Sequence, residues 1–446
     1  MIETKSKQEK ALLVGANVDG DIDFERSMEE LAALTEACEL GVMGTVTQNL
    51  DRPNQALFFG SGKVAEIRDM AEELSADMVI FDNALSPMQL RNLQIEIGLP
   101  VLDRTALILD IFAVRARSRE AKLQVEVAKL QYMLPRLAGL HAALSRQGGS
   151  GGGNGSGSGF ANKGAGETKM ELDRRHIEHR LSELRKELRE VERERETQRK
   201  QRSNSEIPRV ALVGYTNAGK STLMNAYLDS FLAKEGVETD KLEEKKVFEK
   251  DMLFATLDTT VRKIPMPNKK DFLLSDTVGF IDKLPHNLVQ AFKSTLEEVR
   301  EADLLLQVVD VSDEHHKDQI KITQETLHEL GADKIPVIYV MNKADKAFAD
   351  REEDVKLPLV LEDRIFISAK QKIGLDELTQ MIQSRLYADQ VSCQMLIPYD
   401  QGAVTSYLNE NAEIISTDYL PEGTKISLKM RKSDYNRYCQ YVLEEV

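Results

Sequence analysis

Gly214-Tyr215-Thr216-Asn217-Ala218-Gly219-Lys220-Ser221 lies between Arg209-Val-Ala-Leu-Val213, a short apolar run of strand type, and Thr222-Leu-Met-Asn-Ala-Tyr-Leu228, which reads as a helix. This is the phosphate-loop pattern Gly-x-x-x-x-Gly-Lys-Ser in its proper strand-to-helix context. A loop so placed aims successive backbone N–H groups, and the helix N-terminus, at one anion. The glycines let the backbone approach the phosphates. Lys220 supplies charge to the β- and γ-oxygens, Ser221 offers a hydroxyl to Mg²⁺, and Thr222 follows in the same contact set. In a chain with 26 glycines one such match could arise by chance. Three partner motifs, in order, argue that it does not.

Asp276-Thr277-Val278-Gly279 follows the apolar run Phe272-Leu-Leu. A carboxylate at a strand end can hold Mg²⁺ through water, and the Gly279 N–H can reach a γ-phosphate. Asn342-Lys343-Ala344-Asp345 follows Ile335-Pro-Val-Ile-Tyr-Val-Met341. An Asp carboxylate accepts two hydrogen bonds from the N1–H and 2-amino group of guanine. Adenine lacks both donors, so Asp345 separates a GTPase from an ATP-using kinase. Ser368-Ala369-Lys370 follows Arg364-Ile-Phe-Ile, and its backbone would close over the base. The set predicts a GTPase that binds GTP and GDP.

Between the loop and Asp276 lies Phe254-Ala255-Thr256-Leu257-Asp258-Thr259-Thr260. A switch segment needs a threonine that binds Mg²⁺ only when the γ-phosphate is present. Thr256, Thr259 and Thr260 all have that chemistry. Phe-x-Thr-Leu resembles the switch of bacterial translation-factor GTPases, which selects Thr256. The expected Mg²⁺ set is then Ser221, Thr256 and Asp276, and the expected catalytic groups are Lys220, Thr256 and Gly279. After Gly279 comes Phe280, where Ras-type enzymes carry the glutamine that orients the attacking water. Slow intrinsic hydrolysis is expected, with the missing group supplied by a partner, a cation or another part of the chain. Asn217 occupies the loop position at which some bacterial GTPases with a hydrophobic residue after this motif bind K⁺. The alternative is that Asn217 only braces the loop.

At 446 residues, 41% hydrophobic and 30% charged, the chain has ample core for three or four domains. It contains no apolar stretch near the ~20 residues that span a bilayer, and Met1-Ile-Glu-Thr-Lys-Ser-Lys7 is no signal peptide. Cys38, Cys393 and Cys439 are scattered and lack metal spacing. A cytoplasmic protein without membrane insertion is expected. The net charge of −15 is unevenly spread. Residues 1–110 hold 9 basic and 20 acidic side chains, whereas residues 111–205 hold 20 basic and 12 acidic. One basic segment on an acidic protein suits a local phosphate-binding surface.

Upstream of the phosphate loop, Ala11–Val14, Met78–Phe81 and Pro100–Leu102 read as strands, and 24–40, 61–75 and 86–97 as amphipathic helices. Gly60-Ser61-Gly62-Lys63 resembles a second phosphate loop, but Leu57 breaks the spacing. It reads as a helix start, with contact of Lys63 to phosphate or RNA as the alternative. From Arg115 to Arg146 the pattern is helical, with Pro135 expected to kink it. Leu123, Val127, Leu130, Leu134 and Leu137 repeat with the spacing of a coiled-coil seam, as do Ile177, Leu181, Leu184, Leu188 and Val191. Residues 148–166 between them contain ten glycines and read as a loop without capacity for core. Two such helices predict an antiparallel hairpin; a solvated spacer whose charges pair along each helix is the plainer alternative. His315 and His316 read as helix-start residues, not metal ligands. Beyond 391 the pattern is strand, helix 403–409, strand, turn, strand and helix 434–443. The fold class is therefore α/β. A phosphate-loop GTPase domain (207–388) joins an N-terminal α/β domain (1–110), an antiparallel helical hairpin with a glycine-rich tip (111–206) and a small C-terminal α+β domain (389–446).

Phe59-Gly-Ser-Gly-Lys63, Asp103-Arg-Thr-Ala-Leu-Ile-Leu-Asp-Ile-Phe112, Lys122-Leu-Gln-Val-Glu126, the tract from Gly148 to Gly164-Ala-Gly-Glu-Thr168, Asp173-Arg-Arg175 and the GTPase motifs together resemble the HflX family of ribosome-associated GTPases. The resemblance covers about residues 10–390. Ala165 and Thr259 stand where the family usually has proline, and the second departure bears on which threonine holds Mg²⁺. The resemblance implies binding to the large ribosomal subunit and its 23S rRNA, and dissociation of stalled 70S ribosomes. It places the N-terminal domain and hairpin near the peptidyl-transferase centre and associates an ATP-dependent RNA-remodelling activity with the N-terminal domain. A monomer is expected. A GTPase of ribosome assembly or RNA modification, or a GTP-gated RNA-binding scaffold, are the alternatives.

Overall fold

The computed structural model describes residues 8–18, 20, 23–147, 161–203, 207–232, 260–266, 271–281, 298–349, 356–388 and 390–445, which fall into two compact units. In the first, β1 (Lys10–Val18), β2 (Gly41–Leu50), β3 (Met78–Phe81) and β4 (Val101–Asp103) form a parallel sheet of order β2-β1-β3-β4. The connecting helices are α1 (Phe24–Ala37), α2 (Ser61–Glu73) and α3 (Pro87–Ile97), and α4 (Arg104–Arg115) follows β4 directly. Leu12, Val14 and Ala16 cluster with Val64 and Ile67 of α2 and Leu93 and Ile97 of α3. Strand alternation sends Ala11 and Leu13 to the other face, and both are fully buried. Both faces of the sheet are covered, as a parallel sheet requires. The sequence pattern did not disclose β2. It is an edge strand with two glycines and one buried side chain, Val46, so it has little hydrophobic signature.

The seam forms as its spacing predicts. Leu123 and Val127 of α5 (Arg119–Gln147) bury against Leu181 and Leu184 of α6 (Ala161–Ser203), flanked by Leu130, Leu134, Ile177, Leu188 and Val191. The side chain of Leu137 and residues 148–160 lie outside the described residues. Ion pairs Arg119–Glu187 (3.4 Å) and Arg180–Glu126 (2.9 Å) advance in opposite senses along the two chains, so the pair is antiparallel. Helix α5 runs on through Pro135. The glycine-rich stretch is shorter than its composition suggests, because α6 already begins at Ala161. Helical order propagating from the seam absorbs Gly164 and Gly166, each at a cost of about 1 kcal/mol. The middle of α5 is fastened to α4 and β4. Arg136 donates to Asp103 (3.0 Å) and to the Leu85 carbonyl (3.2 Å), the Tyr132 hydroxyl donates to Asp103 (2.6 Å), and Lys129 pairs with Asp110 (2.6 Å).

In the second unit, β5 (Arg209–Val213), β6 (Thr260–Ile264), β7 (Phe272–Asp276), β8 (Leu304–Asp310), β9 (Val337–Asn342), β10 (Leu359–Val360) and β11 (Arg364–Phe366) form a sheet of order β10-β11-β9-β8-β5-β7-β6. Its five inner strands are parallel and the two edge strands antiparallel. Val210, Leu212, Leu274, Leu306 and Val340 share a core with Leu223, Met224 and Tyr227 of α7 (Lys220–Leu232). The chain ends in an antiparallel sheet of β12 (Gln390–Ile397), β13 (Glu413–Leu420), β14 (Gly423–Arg431) and β15 (Val442–Glu445), of order β13-β14-β12-β15. The last helix is shorter than its pattern predicts. It spans Lys432–Tyr438, and the chain then turns so that β15 pairs with β12. Val442 packs on the sheet's core there, a burial that a continuing helix would forgo. Among the described residues no helix is long and apolar enough to cross a membrane.

Candidate nucleotide site

The carboxyl ends of the parallel strands in the second unit bring the sequence motifs together, the usual place for a ligand in an open α/β sheet. Val213 ends β5, and the loop 214–219 turns into α7. Gly214 has φ +144° and Gly219 φ +95°, backbone that favours glycine. A Cβ on Gly214 would run into the Val308 carbonyl, and one on Gly219 into the Asn342 side chain. Asn217 is exposed at the crown of the loop with φ +58°. Tyr215, Thr216 and Ala218 are buried.

Lys220 is buried, and its Nζ donates to the carbonyls of Gly214 (3.0 Å) and Tyr215 (2.7 Å). Burial pushes its ammonium down to about 8, with Asp276 opposing the shift. Ser221 Oγ donates to Asp276 Oδ2 at 2.7 Å, and Asp276, the last residue of β7, is fully buried. Thr277, expected among the nucleotide contacts, donates its hydroxyl to the Leu212 carbonyl (2.6 Å). It ties β5 to β7. Phe280 pairs with the phosphate loop: its N–H donates to the Gly214 carbonyl (3.1 Å) and its carbonyl accepts from Thr216 N–H (2.8 Å). Its ring is buried, so Val278-Gly279 is held against Thr216 by main-chain bonds.

The base-side loops are joined by one side chain. Asn342 Nδ2 donates to the Ala218 carbonyl (2.9 Å), and its Oδ1 accepts from Ala369 N–H (3.0 Å). Asn342 therefore braces three loops. Ala344 N–H donates to the Ile367 carbonyl (3.1 Å). Lys343 has φ +58° and pairs with Asp310 at 2.7 Å. Asp345 is half-buried and accepts from Gln371 Nε2 (3.3 Å). Ser368 Oγ accepts from Gln371 N–H (3.3 Å), and Lys370 is exposed. Residues 214–222, 276–280, 342–345 and 368–370 thus meet at one edge. Phe254, Ala255, Thr256, Leu257 and Asp258 lie outside the described residues. Asp310 and Gln371 were not among the expected residues. Asp310 had a signal, a carboxylate ending the apolar run Leu304–Val309 as Asp276 ends its own; Gln371 had none.

The Gly60–Lys63 stretch is of another kind. Gly60 precedes α2 with φ −69°, and Lys63 pairs with Glu66 within the helix (2.7 Å). It is a plain helix start.

Residues 25–113 match the family described as GTP-binding GTPase N-terminal, residues 115–202 that described as GTP-binding GTPase Middle Region, and residues 209–343 that described as 50S ribosome-binding GTPase. The GTPase HflX of Caldanaerobacter subterraneus subsp. tengcongensis is 41% identical over 443 residues, 99% of this chain and 96% of that protein. The GTPase HflX of Escherichia coli K12 is 36% identical over 447 residues, 99% of this chain and 98% of that protein. Among solved structures, a GTP-binding protein of Sulfolobus solfataricus crystallised with GDP is 25% identical, covering 85% of this chain and 98% of that one, with a TM-score of 0.42.

Proposed function

The chain belongs to the HflX family of GTPases, and on that premise we propose that it binds the large ribosomal subunit in the cytoplasm and dissociates stalled 70S ribosomes, with GTP hydrolysis releasing it. The chain is a GTPase. The further reading rests on the hairpin. Its two helices are long and carry an excess of basic residues, and the first is fastened near its middle by Asp103. Such an arm suits rRNA phosphates, whose attraction to Lys and Arg is salt-dependent.

In the proposed reaction, the loop N–H groups and Lys220 hold the β- and γ-phosphates, and Gly279 N–H donates to the γ-phosphate. Asp345 accepts from the guanine N1–H and 2-amino groups, and the Ala369 backbone covers the base. Ser221 and Asp276, oxygen donors 2.7 Å apart, would hold Mg²⁺ together with Thr256. When bound, that ion neutralises charge on the β- and γ-oxygens. Asn217, exposed in the loop, would offer its carboxamide to K⁺.

Replacing residues 148–166 by a short turn tests the arm. GTP binding and intrinsic hydrolysis are expected to stay, while subunit splitting, followed by light scattering, falls at least tenfold, about 1.4 kcal/mol in binding terms. Splitting at the parental rate would make the loop a passive linker. A GTPase rate indifferent to purified large subunits would remove the ribosome from the reading altogether.

A further inference from the structure

Phe280 leaves the water-orienting role unfilled, and its ring is turned into the core at 3% exposure. The same main-chain pairing that buries it brings a different side chain to the γ-phosphate end of the site. Thr216 N–H donates to the Phe280 carbonyl at 2.8 Å, and Tyr215 and Phe280 form a parallel bridge. Thr216 is therefore set beside Gly279. A Cβ built on Gly279 would lie 2.9 Å from Thr216 Cα, 3.0 Å from Thr216 Cγ2 and 2.9 Å from Lys220 Nζ. The Lys220 ammonium and Thr216, through its Cα and methyl, thus stand against Gly279.

The hydroxyl of that threonine is unusual. Thr216 is 6% exposed, and its Oγ1 makes no hydrogen bond among the described residues. Buried hydroxyls are nearly always bonded, and an exception calls for a reason. The other buried threonine here, Thr277, does have a partner, the Leu212 carbonyl.

We propose that the Thr216 hydroxyl is the water-positioning group of this GTPase, acting where Phe280 cannot. It accepts a hydrogen bond from the attacking water and donates a hydrogen bond to a γ-phosphate oxygen. The water oxygen bonds to the γ-phosphorus as the bond to the β–γ bridging oxygen breaks. GDP leaves with that electron pair, and the water's proton ends on the released phosphate. The hydroxyl is not consumed; it fixes the line of attack. A cation beside Asn217 would neutralise phosphate charge without replacing this contact.

Thr216→Val keeps the shape and removes the hydroxyl, and Thr216→Ser keeps the hydroxyl. In the full-length protein, Thr216→Val is expected to slow single-turnover GTP cleavage at least tenfold. Affinity for GDP and for a non-hydrolysable GTP analogue should stay within about twofold. Thr216→Ser should stay within about threefold of the parental rate. Binding of GDP with aluminium fluoride should weaken in the valine variant alone. A valine variant that cleaves at the parental rate overturns the proposal. So does equal slowing in both variants, or a matching loss of GDP affinity, because either would make Thr216 a loop-shaping residue only.

Discussion

The parallel strands of two sheets in this chain both collect polar side chains at their carboxyl ends, and they use them in opposite ways. In the N-terminal sheet the groups pair chiefly with one another. Arg104 pairs with Asp82 (2.6 Å) and with Glu30, and Ser27 donates to Asp82 (2.8 Å). Asn83 accepts from Ala16 N–H and donates to the Ala16 carbonyl, at 2.8 and 3.0 Å. Asp103 takes Tyr132, Arg136 and the first turn of α4. In the GTPase sheet, Asn342, Thr277 and the Phe280 backbone do the bracing, and the proposed function has Lys220, Ser221 and Asp345 exchange their present protein partners for a nucleotide's groups. Buried polarity at a strand end therefore has two meanings. Where donors and acceptors close on each other it is a fastening, and where braces hold groups that exchange partners for a ligand it is a site.

Arg104→Met puts the first meaning under the largest strain. It would leave Asp82 and Glu30 as neighbouring acids without their shared cation, in a place where Arg104 itself is 3% exposed. Removing one partner of a buried pair typically costs roughly 3–5 kcal/mol. Hydrogen exchange of the β3 and β4 amides, which reads this unit alone, should accelerate accordingly, while GDP affinity stays parental. Protection unchanged within about 1 kcal/mol would show that the cluster is not a fastening, and the comparison would fail at its first term.

Asp345→Asn tests the second meaning with a smaller effect. The carboxylate is already oriented by Gln371, so the substitution changes its chemistry more than its position. Losing a charged acceptor for two guanine donors is expected to lower GDP affinity about a hundredfold, ~2.7 kcal/mol. Xanthosine diphosphate, which presents an acceptor where guanine has its amino group, should recover most of it. Titration with a fluorescent nucleotide measures both. GDP affinity within threefold of parental would take Asp345 out of the base pocket.

The site was more legible in the sequence than the fastening, for a physical reason. A phosphate loop is specified by contiguous residues, because positive φ at Gly214 and Gly219 and the charge of Lys220 are local demands. The hairpin seam was equally plain, since Leu123 to Leu134 and Ile177 to Val191 repeat at helical spacing. Arg104, Asp82 and Glu30 meet only through tertiary structure, and no spacing announces them. The motif letters also hide a division of labour: Asn342 and Thr277 sit inside nucleotide motifs yet spend their side chains on neighbouring loops. Strands β2 and β15 escaped for want of alternation, the first at an exposed edge and the second through pairing with distant β12.

The smallest effect distinguishes the two glycine-lysine helix starts. Among the described residues nothing lies within 4 Å of a Cβ built on Gly62, and Gly62 sits in the first turn of α2. Gly219, at the corresponding helix start in the other unit, has no such room. An alanine in a helical position with space around it stabilises by about 0.5–1 kcal/mol over glycine, largely by narrowing the unfolded ensemble. Gly62→Ala should therefore slow exchange of the α2 amides by about threefold and leave GTP hydrolysis and its response to large subunits at parental rates. A phosphate-cradling loop behaves otherwise, because a methyl group keeps the backbone off the phosphate. Were Gly62→Ala to weaken ATP binding or blunt the ribosome response, the stretch from Gly60 to Lys63 would be a second anion site, and the N-terminal sheet would not be closed at all.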